Sequence, residues 1–504
     1  GGGGGGAALP LEIVTSVGTL EGFASGSSRV FLGIPYAAPP VGPLRFRPPA
    51  PHPGLTGKLA AIARGPMCPQ RSPLDQSFAE GSSEDCLTLN VWAPSAASAT
   101  PRPILFWIHG GGYVLGSGGE AAYDGQALSE GTGSIVVTIN YRLGALGFLA
   151  LPELDEEDPS LPSGNYGLLD QRAALAWVRA NAAAFDGDPG RITIFGESAG
   201  GASVCQHLVS PVSAGMFAAA ILQSGPCNLV NEQAAAHAVG QSLVQALGCP
   251  VGEVASCLRQ RSASEIITAL PGGGFSLAGG GPAFYPTVEG VTLPDRPEAL
   301  LAAGSFEHVP TIVGSNADEA TLFLVLGGLT IDDEAAFLEL AEQLVPGRGA
   351  EVVARYPSAE YGSAQDAALA AFTDAGFTCP ARRTARAVAS AGADAYLYSF
   401  RYGAPSLFGD LGAFHSAEIK YVFGTPGQLL PAPLTDDELG LSANMMAYWS
   451  RLGATQSPNG APQIEWPRYQ IATEPHLEID LALSVGARLR SAQCDFWDGV
   501  DTGF

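Results

Sequence analysis

The clearest pattern along the chain is a set of short, unbroken apolar runs, each closed by glycine or a turn-forming polar residue. Pro103 to Ile108 ends at His109 and three glycines, and Ser134 to Ile139 ends at Asn140. Arg191 to Phe195 runs into Gly196, and Phe217 to Leu222, Val309 to Val313 and Ala395 to Phe400 repeat the theme. Runs without polar alternation predict strands buried on both faces, as in a parallel sheet covered by helices. Ile13, Val17, Leu20 and Val30 predict short N-terminal strands. Between the runs the period changes. Leu168 to Phe185 has helical spacing, with Leu169, Ala173, Ala176, Trp177 and Ala180 on one stripe, and Asp186 to Gly190 stops it. Gly196 to Gly200 reads as a tight turn and Gly201 to Leu208 as the next helix. Strand and helix alternate over most of the chain, which predicts an α/β protein with a large, mainly parallel central sheet.

Neither the glycine-rich stretch Gly272 to Gly281, read as a loop, nor the acidic insertion Glu153 to Pro162, read as surface, marks a domain boundary. The expected organisation is a flexible tether over residues 1–8 and one domain over residues 9–504, carrying long inserted loops. The tether begins with six glycines, which lose too much entropy on ordering to form a helix or strand. An artificial extension and the mature end left after a signal segment both fit it, and the second allows an N-terminal lipid anchor.

Composition narrows the function classes. Of 504 residues, 46% are hydrophobic, ample for a large core. Lys and Arg number 25 against 49 Asp and Glu, a net charge of −24. Phosphate contacts need a basic surface, so nucleic acid is excluded as a partner. No run approaches the roughly 18 apolar residues of a transmembrane helix.

The candidate chemistry sits where strands end. Gly196-Glu197-Ser198-Ala199-Gly200 matches G-x-S-x-G between a strand and a helix, the setting of a nucleophile elbow. The serine there occupies a strained turn, and side chains at Gly196 or Gly200 would clash across it. A serine hydroxyl needs a base to take its proton and donors for the oxyanion it generates. His109-Gly110-Gly111-Gly112 follows a buried strand, where an oxyanion loop belongs. The expected donors are the amides of Gly111, Gly112 and Ala199. His207 is expected to be a packed, hydrogen-bonded side chain and His308 a loop residue. His415-x-x-Glu418 lacks metal-site spacing, so no metal or cofactor is implied.

These motifs, with several others, resemble the type-B carboxylesterase family of α/β-hydrolases. The matching stretches include Phe31-Leu32-Gly33-Ile34-Pro35-Tyr36-Ala37, Pro40 to Phe46, Ser83 to Val91, Asn140 to Gly144, Leu222-Gln223-Ser224-Gly225 and Cys494 to Trp497. The resemblance covers nearly the whole chain and implies an α/β-hydrolase fold and an acyl-enzyme esterase acting on a small-molecule ester. Asp318 and Glu319 are equal candidates on chemistry alone; the resemblance of Gly314 to Glu319 to the family's acid motif selects Glu319. Ala320 departs from the family's usual glycine. Gly412 to Phe423 resembles the histidine motif and selects His415. The implied triad is Ser198, Glu319 and His415, in the chain order of α/β-hydrolases. Glu197 is implied to act electrostatically beside the serine, and Ser224 to hold the acid. Arg45 with Glu84, and Arg142 with Asp170, resemble buried structural ion pairs.

The resemblance also implies three disulfides: Cys68–Cys86, Cys249–Cys257 and Cys379–Cys494. Cys205 and Cys227 remain as either free thiols or a fourth bridge. Oxidised pairs point to export, to a bacterial periplasm, cell envelope or medium. The Cys68–Cys86 loop has no tryptophan to hold a quaternary ammonium, which argues against a dedicated cholinesterase. An amidase or peptidase using the same triad, and a non-catalytic binding module, are the alternatives.

Overall fold

The computed structural model describes residues 7–73, 75–270, 284–427 and 429–500. The Gly1 to Gly6 tether and the Gly272 to Gly281 loop lie outside the described residues. Eleven strands form the main sheet: β1 (Phe23–Ser25), β2 (Ser28–Pro35), β3 (Thr88–Pro94), β4 (Arg102–Ile108), β5 (Ile135–Ile139), β6 (Gly187–Glu197), β7 (Ala219–Gln223), β8 (Thr311–Asn316), β9 (Ala395–Phe400), β10 (Pro475–Ile479) and β11 (Ser484–Ala487). Their spatial order is β11-β10-β9-β8-β7-β6-β4-β5-β3-β2-β1. The seven strands from β5 across to β10 are parallel. The remaining pairings, at the two margins, are antiparallel. β4 lies between β5 and β6, so the chain steps one way out of β4 and crosses back to reach β6. Such a reversal leaves a crevice at the C-terminal strand ends, where open α/β sheets bind ligands.

The apolar runs are continuous because both faces of the sheet are covered. On β4, Leu105 and Trp107 join a core with Phe195, Ile221, Ile312 and Tyr398, while Ile104, Phe106 and Ile108 join the opposite core with Ile194, Leu222 and Val313. The helix α4 (Asp436–Thr455) closes the first face with Met445, Trp449 and Leu452. The second is closed by α1 (Tyr166–Asn181), α2 (Ala199–Val209) and α3 (Cys379–Ser390), through Leu175, Val178, Val204, Leu208 and Ala385. Each large side chain so buried contributes about 1.5–3 kcal/mol relative to exposure.

The expected stripe on α1 holds at Leu169 and Trp177, which are buried, and is corrected at its alanines. Ala176 and Ala180 are exposed, and the buried face carries Leu168, Gln171, Leu175 and Val178 with Asp170 and Asn181. Polar residues occupy the buried side because each has a partner: Asp170 pairs with Arg142, Gln171 with His207, and Asn181 bonds the Ser16 amide. Strand edges shift as well. β6 starts at Gly187, since the helix ends at Asp186 with φ 69°, and β7 and β8 begin two residues later than their apolar runs. Ile13, Leu20 and Val30 fall in strands, but Val17 occupies the turn between two of them. The acidic insertion is tied down by Asp155, which accepts from the Ser163 amide, and by Glu157, which takes a bidentate pair from Arg259.

Four disulfides are closed: Cys68–Cys86, Cys205–Cys227, Cys249–Cys257 and Cys379–Cys494. Four such bonds are the chemistry of an oxidising, extracytoplasmic compartment. Among the described residues no helix is long and apolar enough to cross a membrane.

Candidate active site

The C-terminal ends of β4, β6 and β8 converge. Ser198 follows β6 and stands at φ 57°, ψ −124°, a backbone conformation an L-residue adopts only under strain. It is held there by its neighbours. Its amide donates to Gln223 O at 2.9 Å, and its carbonyl accepts from Ala202 N at 2.9 Å as the first bond of α2. A Cβ on Gly196 would stand 2.5 Å from the Gly200 carbonyl carbon, and one on Gly200 would strike Ile108 O. The two motif glycines are therefore required by close backbone approach, as the sequence predicts.

The loop after β4 lies directly against this turn. A Cβ on Gly110 would stand 2.7 Å from Glu197 O and 3.0 Å from Ser198 Cβ. Gly111 and Gly112 have φ of 99° and 60°. Among the described residues, the amides of Gly111, Gly112 and Ala199 donate no backbone hydrogen bond. His109 is buried. It stacks on Tyr141 at 4.4 Å with Nδ1 2.8 Å from Gly110 O, and burial lowers its pKa to about 4, so it is a neutral structural ring.

Glu319 leaves β8 and places Oε2 2.6 Å from His415 Nδ1, while its Oε1 accepts from Asn316 N at 2.7 Å. Asp318 turns elsewhere and accepts from Ala413 N at 2.8 Å, bracing the loop that carries the histidine. The chemically equal pair is thus separated by geometry. Ser224 does not hold the acid as expected: among the described residues its buried hydroxyl has no hydrogen-bond partner, and its amide donates to Gly314 O. At φ 48° it turns the chain sharply after β7.

A model of the carboxylesterase family matches residues 10–497. The chain is 36% identical to a cocaine esterase of Oryctolagus cuniculus, over 95% of this chain and 92% of the relative. It is 34% identical to a medium-chain fatty acyl-CoA hydrolase precursor of Anas platyrhynchos, over 96% and 91%. It is also 34% identical to an acetylcholinesterase of Bungarus fasciatus, over 98% and 87%. The chain belongs to the carboxylesterase family.

The mostly parallel, helix-flanked sheet of this carboxylesterase is the α/β-hydrolase fold. Its site is unusually rich in buried acid. His415 Nε2 lies 3.1 Å from Glu197 Oε1, and among the described residues the Ser198 hydroxyl makes no hydrogen bond. The imidazole therefore stands between two carboxylates. Burial pulls its pKa down, but Glu197 and Glu319 outweigh this and raise it to about 9. Burial pushes the Glu197 carboxyl up to about 8, against the opposing pull of His415. A third carboxylate, Glu418, is fully buried and accepts from Asn316 Nδ2 at 2.6 Å and Gln223 Nε2 at 2.9 Å. Burial first, then the Glu319 charge, raise its pKa.

Several residues at the site of this carboxylesterase escaped the sequence reading. Glu418 enters the sequence analysis only as a metal-spacing partner, although its place one turn after His415 carries it back to Asn316, beside Glu319. Ser416, at φ 72°, donates to Glu197 Oε1 at 2.6 Å. Phe323 and Phe377 flank the His415 ring at centroid distances of 4.9 and 5.0 Å. They lie 92 and 38 residues before it, and no local pattern ties them to the histidine.

Elsewhere the expected structural roles are visible. His207 bonds Gln171 and Ser213 at 2.9 Å each, and the exposed His308 lies in a loop. Arg45 pairs with Glu84 at 2.5 Å and Arg142 with Asp170 at 2.7 Å.

Proposed function

We propose that this carboxylesterase cleaves small carboxylic esters by two-step acyl transfer, with Ser198 as nucleophile, His415 as base and Glu319 as the acid that orients it. The observation that carries the reading is the 2.6 Å contact between Glu319 Oε2 and His415 Nδ1, beside a serine on a strained elbow. Glu319 fixes the proton on Nδ1 and leaves Nε2 as the working nitrogen. In the resting arrangement Nε2 shares a proton with Glu197. That proton passes to the Glu197 carboxylate, which burial already favours in the protonated form. The freed Nε2 takes the Ser198 proton as Oγ attacks the ester carbonyl. The amides of Gly111, Gly112 and Ala199 receive the oxyanion. His415 then protonates the leaving alcohol, and water releases the acid by the reverse path.

The Cys68–Cys86 loop contains Phe78 as its one aromatic residue, which favours uncharged alcohol groups over quaternary ammonium. The test is hydrolysis of para-nitrophenyl acetate and butyrate. Ser198→Ala should lower kcat by about 10⁴-fold or more with the circular dichroism spectrum unchanged. Undiminished turnover in that variant would overturn the assignment.

A further inference from the structure

We infer that Tyr113 and Gln206 form a positioning pair that holds the oxyanion loop in register with the helix behind the nucleophile. The inference rests on the functional reading just given, and deepens it by assigning a role to two residues outside the triad. Tyr113 directly follows Gly112 and stands at φ 62°, which a bulky residue adopts only when its surroundings enforce it. Three contacts do so. Its carbonyl accepts from Gly144 N at 2.7 Å, its ring packs edge-on against Phe148 at 5.0 Å, and its hydroxyl donates to Gln206 Oε1 at 2.9 Å.

Gln206 lies on α2, whose first residue, Ala199, supplies the third proposed oxyanion donor. Its Nε2 donates in turn to Leu229 O at 3.1 Å. A turn earlier on the same helix, Ser203 donates to Ala199 O at 2.9 Å and accepts from Gln171 Nε2 at 3.1 Å, which fixes the helix start itself. The Tyr113 hydroxyl, bonded to Gln206 at 2.9 Å and accepting a longer bond from Ser203 Oγ at 3.4 Å, thus links the loop bearing two donor amides to the helix bearing the other.

The choice of residues supports a positioning role. Both side chains are wholly buried, and Tyr113 has no exposed surface. Phenylalanine and methionine would fill the same space without desolvating a hydroxyl and an amide. A polar pair retained there restricts the loop to the arrangement in which both groups are satisfied. Burial holds the phenol in its protonated, donating form. An oxyanion hole acts through donors already aimed at the developing charge, so loss of the pin should act on the transition state more than on ester binding.

The experiment compares Tyr113→Phe, Gln206→Met and the double variant with the parent enzyme and with Ser198→Ala. Each single variant should lower kcat on para-nitrophenyl acetate by about 10- to 100-fold, a loss in line with small misplacement of catalytic groups. KM should stay within about threefold, and affinity for an aryl trifluoromethyl ketone should fall by the same factor as kcat/KM. The double variant should lose no more than Tyr113→Phe, which already breaks the Gln206 bond together with the longer Ser203 contact. Gln206→Met serves as a second route if Tyr113→Phe does not fold. A lowered melting temperature with kcat and ketone affinity unchanged would reduce the pair to packing and overturn the inference. Full activity in Ser198→Ala would instead remove the functional reading, and the inference with it.

Discussion

Asp170→Ala offers a sharp test of how the segment bonded to the Gly110–Gly112 loop is held. The Asp170 carboxylate is wholly buried and the Arg142 side chain is 3% exposed. Asp170 accepts three bonds from one residue: Arg142 Nε at 2.7 Å, Nη2 at 2.7 Å and the backbone amide at 3.0 Å. Arg142 Nη1 is held separately by Arg47 O at 2.8 Å. Alanine at 170 would leave a guanidinium in the interior with two donors unpaired and no counter-charge. Removing one partner of a buried pair costs about 3–5 kcal/mol. The pair itself need not stabilise. Burial raises the Asp170 carboxyl above its usual range even against the pull of Arg142, a sign of heavy desolvation. Arg142→Met with Asp170→Leu should therefore lose less than Asp170→Ala alone. Denaturant midpoints read by near- and far-ultraviolet circular dichroism would measure the difference. Residues 140–144 also brace the site, since Tyr141 OH donates to His109 O at 2.8 Å and Gly144 N to Tyr113 O at 2.7 Å. Ester hydrolysis in Asp170→Ala should thus fail on heating well below the parent's melting point. A loss under about 1 kcal/mol, or a double variant as unstable as the single, would refute the reasoning.

Two further predictions concern protons and crosslinks. The folded pair keeps its shared proton on His415 up to about pH 9, through the charges of Glu197 and Glu319, whereas an unfolded imidazole releases it near 6.5. The folded chain thus binds more protons across that window, and stability should fall as pH rises through it. Glu197→Gln should flatten this slope and move the ascending limb of kcat/KM to lower pH; an unmoved limb would mean that Glu197 does not set the base. Replacing cysteine pairs by alanine should rank with loop length. The 115-residue closure of Cys379–Cys494 should cost about 5 kcal/mol, Cys68–Cys86 and Cys205–Cys227 about 3, and the eight-residue Cys249–Cys257 about 2.5. A set of denaturant midpoints in the opposite order would show that strain or packing outweighs chain entropy.

What could be read from the chain alone follows from where its physics is local. Ala395 to Phe400 is a strand in both readings because five of its six residues are apolar or aromatic, which suits a strand covered on both sides. The elbow was legible because glycines at 196 and 200 are imposed by contacts within a few residues of sequence. The buried side of α1 was not, since hydrophobicity cannot mark a face that carries Asp170, Gln171 and Asn181, each made tolerable by a distant partner. Asp318 and Glu319 could not be told apart by chemistry, because the choice depends on a loop almost a hundred residues away. The same limit hid Glu418, Phe323 and Phe377, whose roles arise only when β8, β9 and α3 come together. Cys205 and Cys227 stayed undecided for a related reason. Their proximity depends on Gly225 packing its backbone against Gly201, and spacing along the chain does not reveal that approach.

That last bridge constrains the order in which the enzyme can be assembled. Cys205, on the helix that follows Ser198, and Cys227 have at most 1% of their surface exposed. No oxidant reaches them once the surrounding core has closed. The bond must therefore form while α2 is still loose against β7, before the elbow acquires its final shape. A chain that packed first would enclose two thiols out of reach of any oxidase. Oxidation of this pair then precedes the final packing of the elbow, and a reductant could reopen the bond only by first loosening that packing.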